Sequence, residues 1–153
     1  MRALNVKVLI SLILLLYLAR IAEAAEGNRK SGTLGLGVVL GDPTGISGKV
    51  WVGGNRAVDG LIAWSLRDFL FIQSHYLFHF REAVENEEFV FYAGPGGFVR
   101  AGQGRDRMGV SGNFGIAYTV RQFEIFLELA PKVSIIPDTD GDLTGGLGFH
   151  YFF

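Results

Sequence analysis

The sequence predicts an all-β fold: an eight-stranded antiparallel up-and-down transmembrane β-barrel that follows a cleaved signal peptide. Three observations carry this expectation. Runs of about ten residues alternate large apolar with small or polar side chains, the period of a strand and not of a helix. Eight such runs follow one another, separated by short turn signals, to the end of the 153-residue chain. The small and polar face of those runs also carries only sparse charge, whereas a face bathed in water would be about a quarter to a third Lys, Arg, Asp and Glu.

Residues 1–24 stand apart from this pattern. Arg2 and Lys7 precede the apolar run Val8–Leu18, and Ala22-Glu23-Ala24 places small residues at the two positions a signal peptidase reads. The run is too short to cross a bilayer as a helix, which takes about 20 apolar residues. Cleavage after Ala24 is therefore expected, with 25–31 a short N-terminal segment and 32–153 the barrel.

Within the barrel the pattern places strands at 32–41, 45–53, 57–67, 69–80, 88–100, 108–120, 123–136 and 143–153. The sixth is the clearest: Val110, Gly112, Phe114, Ile116, Tyr118 and Val120 alternate with Ser111, Asn113, Gly115, Ala117 and Thr119. The connections GDPTG, GGNR, Arg67-Asp68, EAVENEE, GQGRDR, Arg121-Gln122 and PDTDGD are all short enough for hairpins. An even number of antiparallel neighbours can close on itself and leave no edge. Pro95 and Pro131 fall inside the fifth and seventh strands, and with no edge to hide a missing donor a β-bulge is expected at each.

Composition narrows the function classes. Export without a single cysteine excludes disulfides and a lipid anchor behind the leader. Of the 14 basic and 15 acidic residues, Arg2, Lys7, Arg20 and Glu23 leave with the leader, so the mature chain is mildly acidic, at about −3. No basic stripe is present, and no nucleic-acid partner is expected.

The alternation alone leaves two faces to choose between. Eight strands enclose a lumen just wide enough for side chains to fill, and the bulky apolar set would overfill it. The other set, with Thr33, Gly35, Gly37, Ser47, Ala63, Ser65, Ser111, Gly115, Gly146 and Gly148, suits a narrow interior. Its sparse charges, Lys49, Asp59, Arg67, Arg81, Arg100, Glu124, Glu128 and Lys132, are of both signs and are expected to pair across the lumen as a polar network. The apolar set then faces lipid, and closure satisfies every backbone amide internally. With the N-terminus entering from the periplasm, Phe78, Phe80, Phe89, Tyr118, Phe123, Tyr151 and Phe153 fall at one end as a periplasmic aromatic girdle, and Trp64 lies near the opposite interface.

The terminal Gly148-Phe149-His150-Tyr151-Phe152-Phe153 resembles the C-terminal signal of bacterial outer-membrane barrels, in which alternate hydrophobic residues ending in Phe are read by the barrel-insertion machinery. The mature chain is similar in size and layout to small OmpA/OmpX-type barrels. GLGVVLGDPTGISGKVW and FLELAPKVSIIPDTDGDLTGGLGFHYFF look like a largely uncharacterised family of bacterial outer-membrane barrels. The resemblance implies the outer membrane of a Gram-negative cell, its lipid and the barrel-assembly machinery as partners, and a monomer. It carries an address and no activity.

Candidate chemistry is thin. His75, beside Ser74 and near His79, could serve a lipid hydrolase or acyltransferase with Glu124 or Glu128 orienting the ring. However, neighbours on a strand point to opposite faces, and the His-x-Ser spacing of outer-membrane deacylases is missing. Asp138, Asp140 and Asp142 could face a cation, but without the EF-hand glycine and distal glutamate they suit a tight turn. Gly41-Asp42-Pro43-Thr44-Gly45 is a turn too, with no P-loop lysine. No catalytic residue, metal site or cofactor is expected. A small outer-membrane barrel with a structural or interaction role, not an open general porin, is the expected function. A lipid-modifying enzyme of deacylase or acyltransferase type and a periplasmic lipocalin-like carrier of an apolar ligand are the alternatives.

Overall fold

The computed structural model describes residues 33–64, 69–80, 83, 85, 88–102 and 104–153; the expected leader 1–24, the segment 25–31, and Ser65, Arg67 and Arg81 lie outside the described residues. Eight strands follow in chain order: β1 Leu34–Asp42, β2 Gly45–Gly53, β3 Arg56–Trp64, β4 Phe69–Phe80, β5 Phe89–Gly102, β6 Arg107–Val120, β7 Phe123–Ile136 and β8 Asp140–Phe152. Each pairs antiparallel with its sequence neighbours, and β1 closes on β8 from Gly35↔Phe152 to Asp42↔Gly145. The barrel therefore has no free edge, and all ladder hydrogen bonds are internal.

Local chemistry explains the boundaries. Thr44 stops β1 by turning back on Gly41: the Gly41 N–H donates to Thr44 Oγ1 at 3.1 Å and the hydroxyl donates to the Gly41 carbonyl at 3.0 Å. Arg121 takes φ 55° in the two-residue turn between β6 and β7, where the chain reverses tightly. β8 starts earlier than the turn-rich PDTDGD suggests. Asp140 and Asp142 pair in register with Ser134 and Lys132, because the ladder continues wherever a partner strand is in reach.

The two prolines differ from expectation. Neither carries a bulge: Pro95 pairs with Gly112 and Pro131 with Leu143 in unbroken register. Each leaves a gap only on its other side, between His75↔Gly96 and Phe78↔Ala93, and between Ser111↔Lys132 and Phe114↔Leu129, with the register unchanged across it. A missing N–H removes one ladder bond without requiring an extra residue, so the sheet parts locally and closes again. The register shifts occur elsewhere, at Trp51/Gly53 and Met108/Gly109.

The faces are sharply sorted. Phe114, Leu127 and Leu129 are 57%, 55% and 55% exposed on the outside, whereas Glu128 and Lys132 retain 8% and 4% inside. Large rings are nevertheless admitted to the lumen: Phe71, Tyr92, Phe98 and Phe126 are buried there with Leu61 and Leu77. Glycines on the neighbouring strand, opposite each ring in the ladder, make the room. A Cβ on Gly115 would collide with the Tyr92 ring, and one on Gly148 with the Phe126 ring. Gly115→Val is therefore expected to destabilise the barrel by about 1–3 kcal/mol through overpacking. Urea unfolding in detergent micelles measures this, and combining the change with Tyr92→Ala should recover part of the loss.

Candidate functional site in the barrel interior

β7 sets the frame of the interior. Glu124, Glu128 and Lys132 are spaced by four, so all three point inward, and each step along the strand advances about 13 Å at the usual strand rise. They define three tiers between the end of the barrel that carries Leu34 and Phe152 and the end formed by the β1–β2, β3–β4, β5–β6 and β7–β8 connections.

The first tier is an ion pair with two extensions. Lys49 Nζ donates to Glu124 Oε1 and Oε2 at 3.0 and 3.1 Å, with both side chains about 2% exposed. The ammonium also lies over the Trp51 and Tyr92 rings, 5.0 and 5.1 Å from their centroids. Glu124 can only accept, so His150 presents Nδ1–H to Oε1 at 3.2 Å, and its Nε2 lies 2.8 Å from Ser47 Oγ. The Phe126 ring stacks on His150 at 4.6 Å.

The second tier repeats the arrangement with other residues. Asp59 Oδ1 accepts the His75 backbone N–H at 2.8 Å and lies 3.0 Å from His75 Nδ1, while His75 Nε2 is 2.8 Å from Ser111 Oγ. Asn113 Nδ2 then spends its two hydrogens on two carboxylates, Asp59 Oδ2 and Glu128 Oε2, each at 3.0 Å. Tyr92 O–H donates to Glu128 Oε2 at 3.3 Å.

Both tiers contain a Ser–His–acid relay, the order of atoms that activates a serine nucleophile. The cavity beside Ser47, Lys49, Tyr92 and His150 measures about 10 Å³, the space of a single water, and Ser111 is buried at 7% exposure. In this packing each relay satisfies its own buried polar groups.

The third tier lies at the mouth. Lys132 and Arg100, expected in the lumen network, take no part in it: Lys132 Nζ sits 4.3 Å over the Phe71 ring, and Arg100 is exposed with its guanidinium 4.4 Å over Phe69. Arg67 lies outside the described residues. Lys49, Asp59, Glu124 and Glu128 are the expected residues that the fold joins. His75 finds Asp59 and Ser111 instead of Ser74, Glu124 or Glu128; Ser74 Oγ instead donates to the Asp59 carbonyl at 2.7 Å. Ser47, Tyr92, Asn113 and His150 were not singled out as members. The signal for them was strand parity, which puts all four inward, but parity does not say which inward groups meet.

The remaining expected positions are on the outer surface. Phe78, Phe80, Phe89, Phe123 and Phe153 are exposed and, with Tyr118 and Tyr151, lie at the end holding the chain termini of the barrel. There Phe89 meets Tyr118 at 4.8 Å, Phe123 meets Tyr151 at 5.3 Å, and Tyr151 meets Phe153 at 5.1 Å. Trp64, 52% exposed, ends β3 at the opposite rim. Asp138 and Asp140 are engaged by Arg105 and Arg107 at 3.1 and 2.8 Å. Among the described residues no cluster of three or more His, Asp or Glu could hold a metal ion.

Fold and interior together define a class: a closed eight-stranded up-and-down barrel, apolar outside and plugged by paired polar groups. Among solved structures, the chain is similar to the N-terminal β-barrel domain of Pseudomonas aeruginosa OprF, with a TM-score of 0.61 and 12% identity over 83% of this chain and 100% of that one. At that identity the likeness is one of fold. No protein-family model matches the sequence, and no curated protein does.

Proposed function

We propose that this protein is a small outer-membrane β-barrel with a structural or interaction role, whose plugged lumen does not serve as an open general pore. The observation that carries the reading is the inversion of the usual protein surface. Leu36, Val38, Phe114, Ile125, Leu127, Leu129, Leu147 and their neighbours form an apolar belt round a closed sheet, while the ion pair and both histidine relays are inside. In water such a belt would be a large aggregation surface; in hydrocarbon it is the required one.

The aromatic ring formed by Phe78, Phe80, Phe89, Tyr118, Phe123, Tyr151 and Phe153 is assigned to the periplasmic interface. The closing β8, with Gly148 packed inside and Phe149, Tyr151 and Phe153 outside, is the segment the barrel-assembly machinery reads. Outer-membrane lipid is the main partner of the belt, and the barrel acts as a monomer. A lipocalin-like carrier would need an apolar interior cavity, and this interior is occupied by Lys49, Glu124, Asp59 and Glu128. A lipid-modifying enzyme would need a reachable serine, and Ser47 and Ser111 are both buried.

Cell fractionation tests the proposal. The protein should sediment with outer membranes, resist extraction without detergent, and run faster on a gel unboiled than boiled. Planar bilayers containing it should show no porin-sized conductance steps, because polar groups paired at about 3 Å leave no continuous water column. Release as a soluble protein without detergent would overturn the membrane reading, and large stable steps would overturn the plug.

A further inference from the structure

At the rim opposite the aromatic ring the lumen opens into a vestibule of about 130 Å³. Its floor is aromatic: Phe71 and Phe98 stack with centroids 6.0 Å apart, and Phe69 packs beside them. Two cations lie on these rings. Arg100 covers Phe69 at 4.4 Å, and Lys132 Nζ lies 4.3 Å from the Phe71 centroid and 5.7 Å from that of Phe98.

Lys132 is the unusual group. The residue is 4% exposed, yet among the described residues its ammonium makes no hydrogen bond and no ion pair. Asp142 is its cross-strand neighbour and lines the same vestibule with Asp42, but neither carboxylate closes on the ammonium. Arg107, also at the rim, is held by Asp140 at 2.8 Å. The ammonium opens onto the vestibule, so its three donors, spent on no protein acceptor, are available to a ligand there, and a ring face meets only part of what an ammonium can bind.

We propose that the vestibule binds a small organic carboxylate with a planar apolar body. The carboxylate would take the donors of Lys132 and Arg100, and the body would lie against Phe69, Phe71 and Phe98. The size fits: an apolar protein cavity of about 150 Å³ accommodates benzene, so this volume suits one ring whose charged end reaches the mouth. The sign fits as well. Two cations with no ion pair among the described residues face the cavity, and the two aspartates stand at its rim where they oppose a second negative charge. A monoanion with a ring is favoured over a bare polyanion such as phosphate, which would leave the aromatic floor uncovered and meet both aspartates.

The binding site does not depend on which membrane houses the barrel, so it is tested on the folded protein in a non-ionic detergent. Benzoate is the probe, followed by amide chemical shifts and calorimetry. Benzoate should shift the resonances of β4 and β5 around Phe71 and Phe98 saturably, whereas benzylamine and inorganic phosphate should shift them little. Lys132→Met and Arg100→Gln should each weaken benzoate by about tenfold or more, the loss expected for a hydrogen bond to a charged group. Unboiled gel migration reports whether each variant is folded; if Lys132→Met does not fold, exposed Arg100 carries the test. Equal or tighter binding of benzylamine or of phosphate overturns the proposal. So does unchanged benzoate affinity in the folded variants.

Discussion

Replacing Glu124 by Leu is expected to destabilise the barrel by about 3–5 kcal/mol, the range for removing one partner of a buried ion pair. The size follows from what Glu124 holds. Its two oxygens accept both the Lys49 ammonium and His150 Nδ1–H, and both partners are buried with it. Loss of the carboxylate leaves a buried cation and an imidazole donor with no acceptor, and it frees His150 to lose its alignment on Ser47. The cost arises from the orphaned charge more than from the lost attraction. A second change should therefore restore most of the stability: Lys49→Met with Glu124→Leu removes both charges and replaces them with groups of similar volume. Urea titration in lipid vesicles, read by the unboiled gel band, gives the single and double values. A double variant as unstable as Glu124→Leu alone would show that packing, not charge, sets the loss.

Leu129→Arg is expected to cost about 2–4 kcal/mol if the outer belt faces hydrocarbon, the range for a cation at the middle of a barrel's lipid face. Leu129 stands midway along β7, opposite Phe114 on β6 and Gly145 on β8, and its side chain is 55% exposed. Ile136 is equally exposed but ends β7 at the rim. Ile136→Arg should cost only about 0–1 kcal/mol, because near the interface the cation reaches water. The contrast between two equally exposed positions is the informative quantity. Equal, small effects at both would mean that the belt meets an aqueous medium, and the membrane assignment would fail.

The expected strands and the observed ones agree closely because strand signals are local. In β6, Val110 to Val120 alternate over a full strand length, and Arg121-Gln122 provides a turn that leaves no ambiguity. Parity then assigns Glu124, Glu128 and Lys132 to one face whatever else the chain does. The bulges expected at Pro95 and Pro131 were misjudged because a proline constrains only its own donor. Whether the sheet parts or bulges depends on the neighbouring strand, and Gly94 and Gly112 allow a gap without a shift in register. The lumen was legible as a list of polar residues and illegible as a set of pairs. Arg100 shares the parity of Phe98, yet stands past the end of the packed interior, where a long cation turns onto Phe69.

The sequence by itself determined the strand count and which side chains of each strand share a face, since both rest on a two-residue period read within one strand; that the Phe71, Tyr92, Phe98 and Phe126 rings enter the lumen was decided by the fold. Only the tertiary structure decided that Lys49 meets Glu124, that His150 joins Ser47 to that acid, that Asn113 bridges Asp59 to Glu128, and that Lys132 is left facing an open vestibule. The reason is geometric. Contacts across a closed sheet depend on the tilt and stagger with which eight strands meet, and shifting the stagger by one residue pair would exchange every partner across the lumen while leaving each strand's own alternation unchanged.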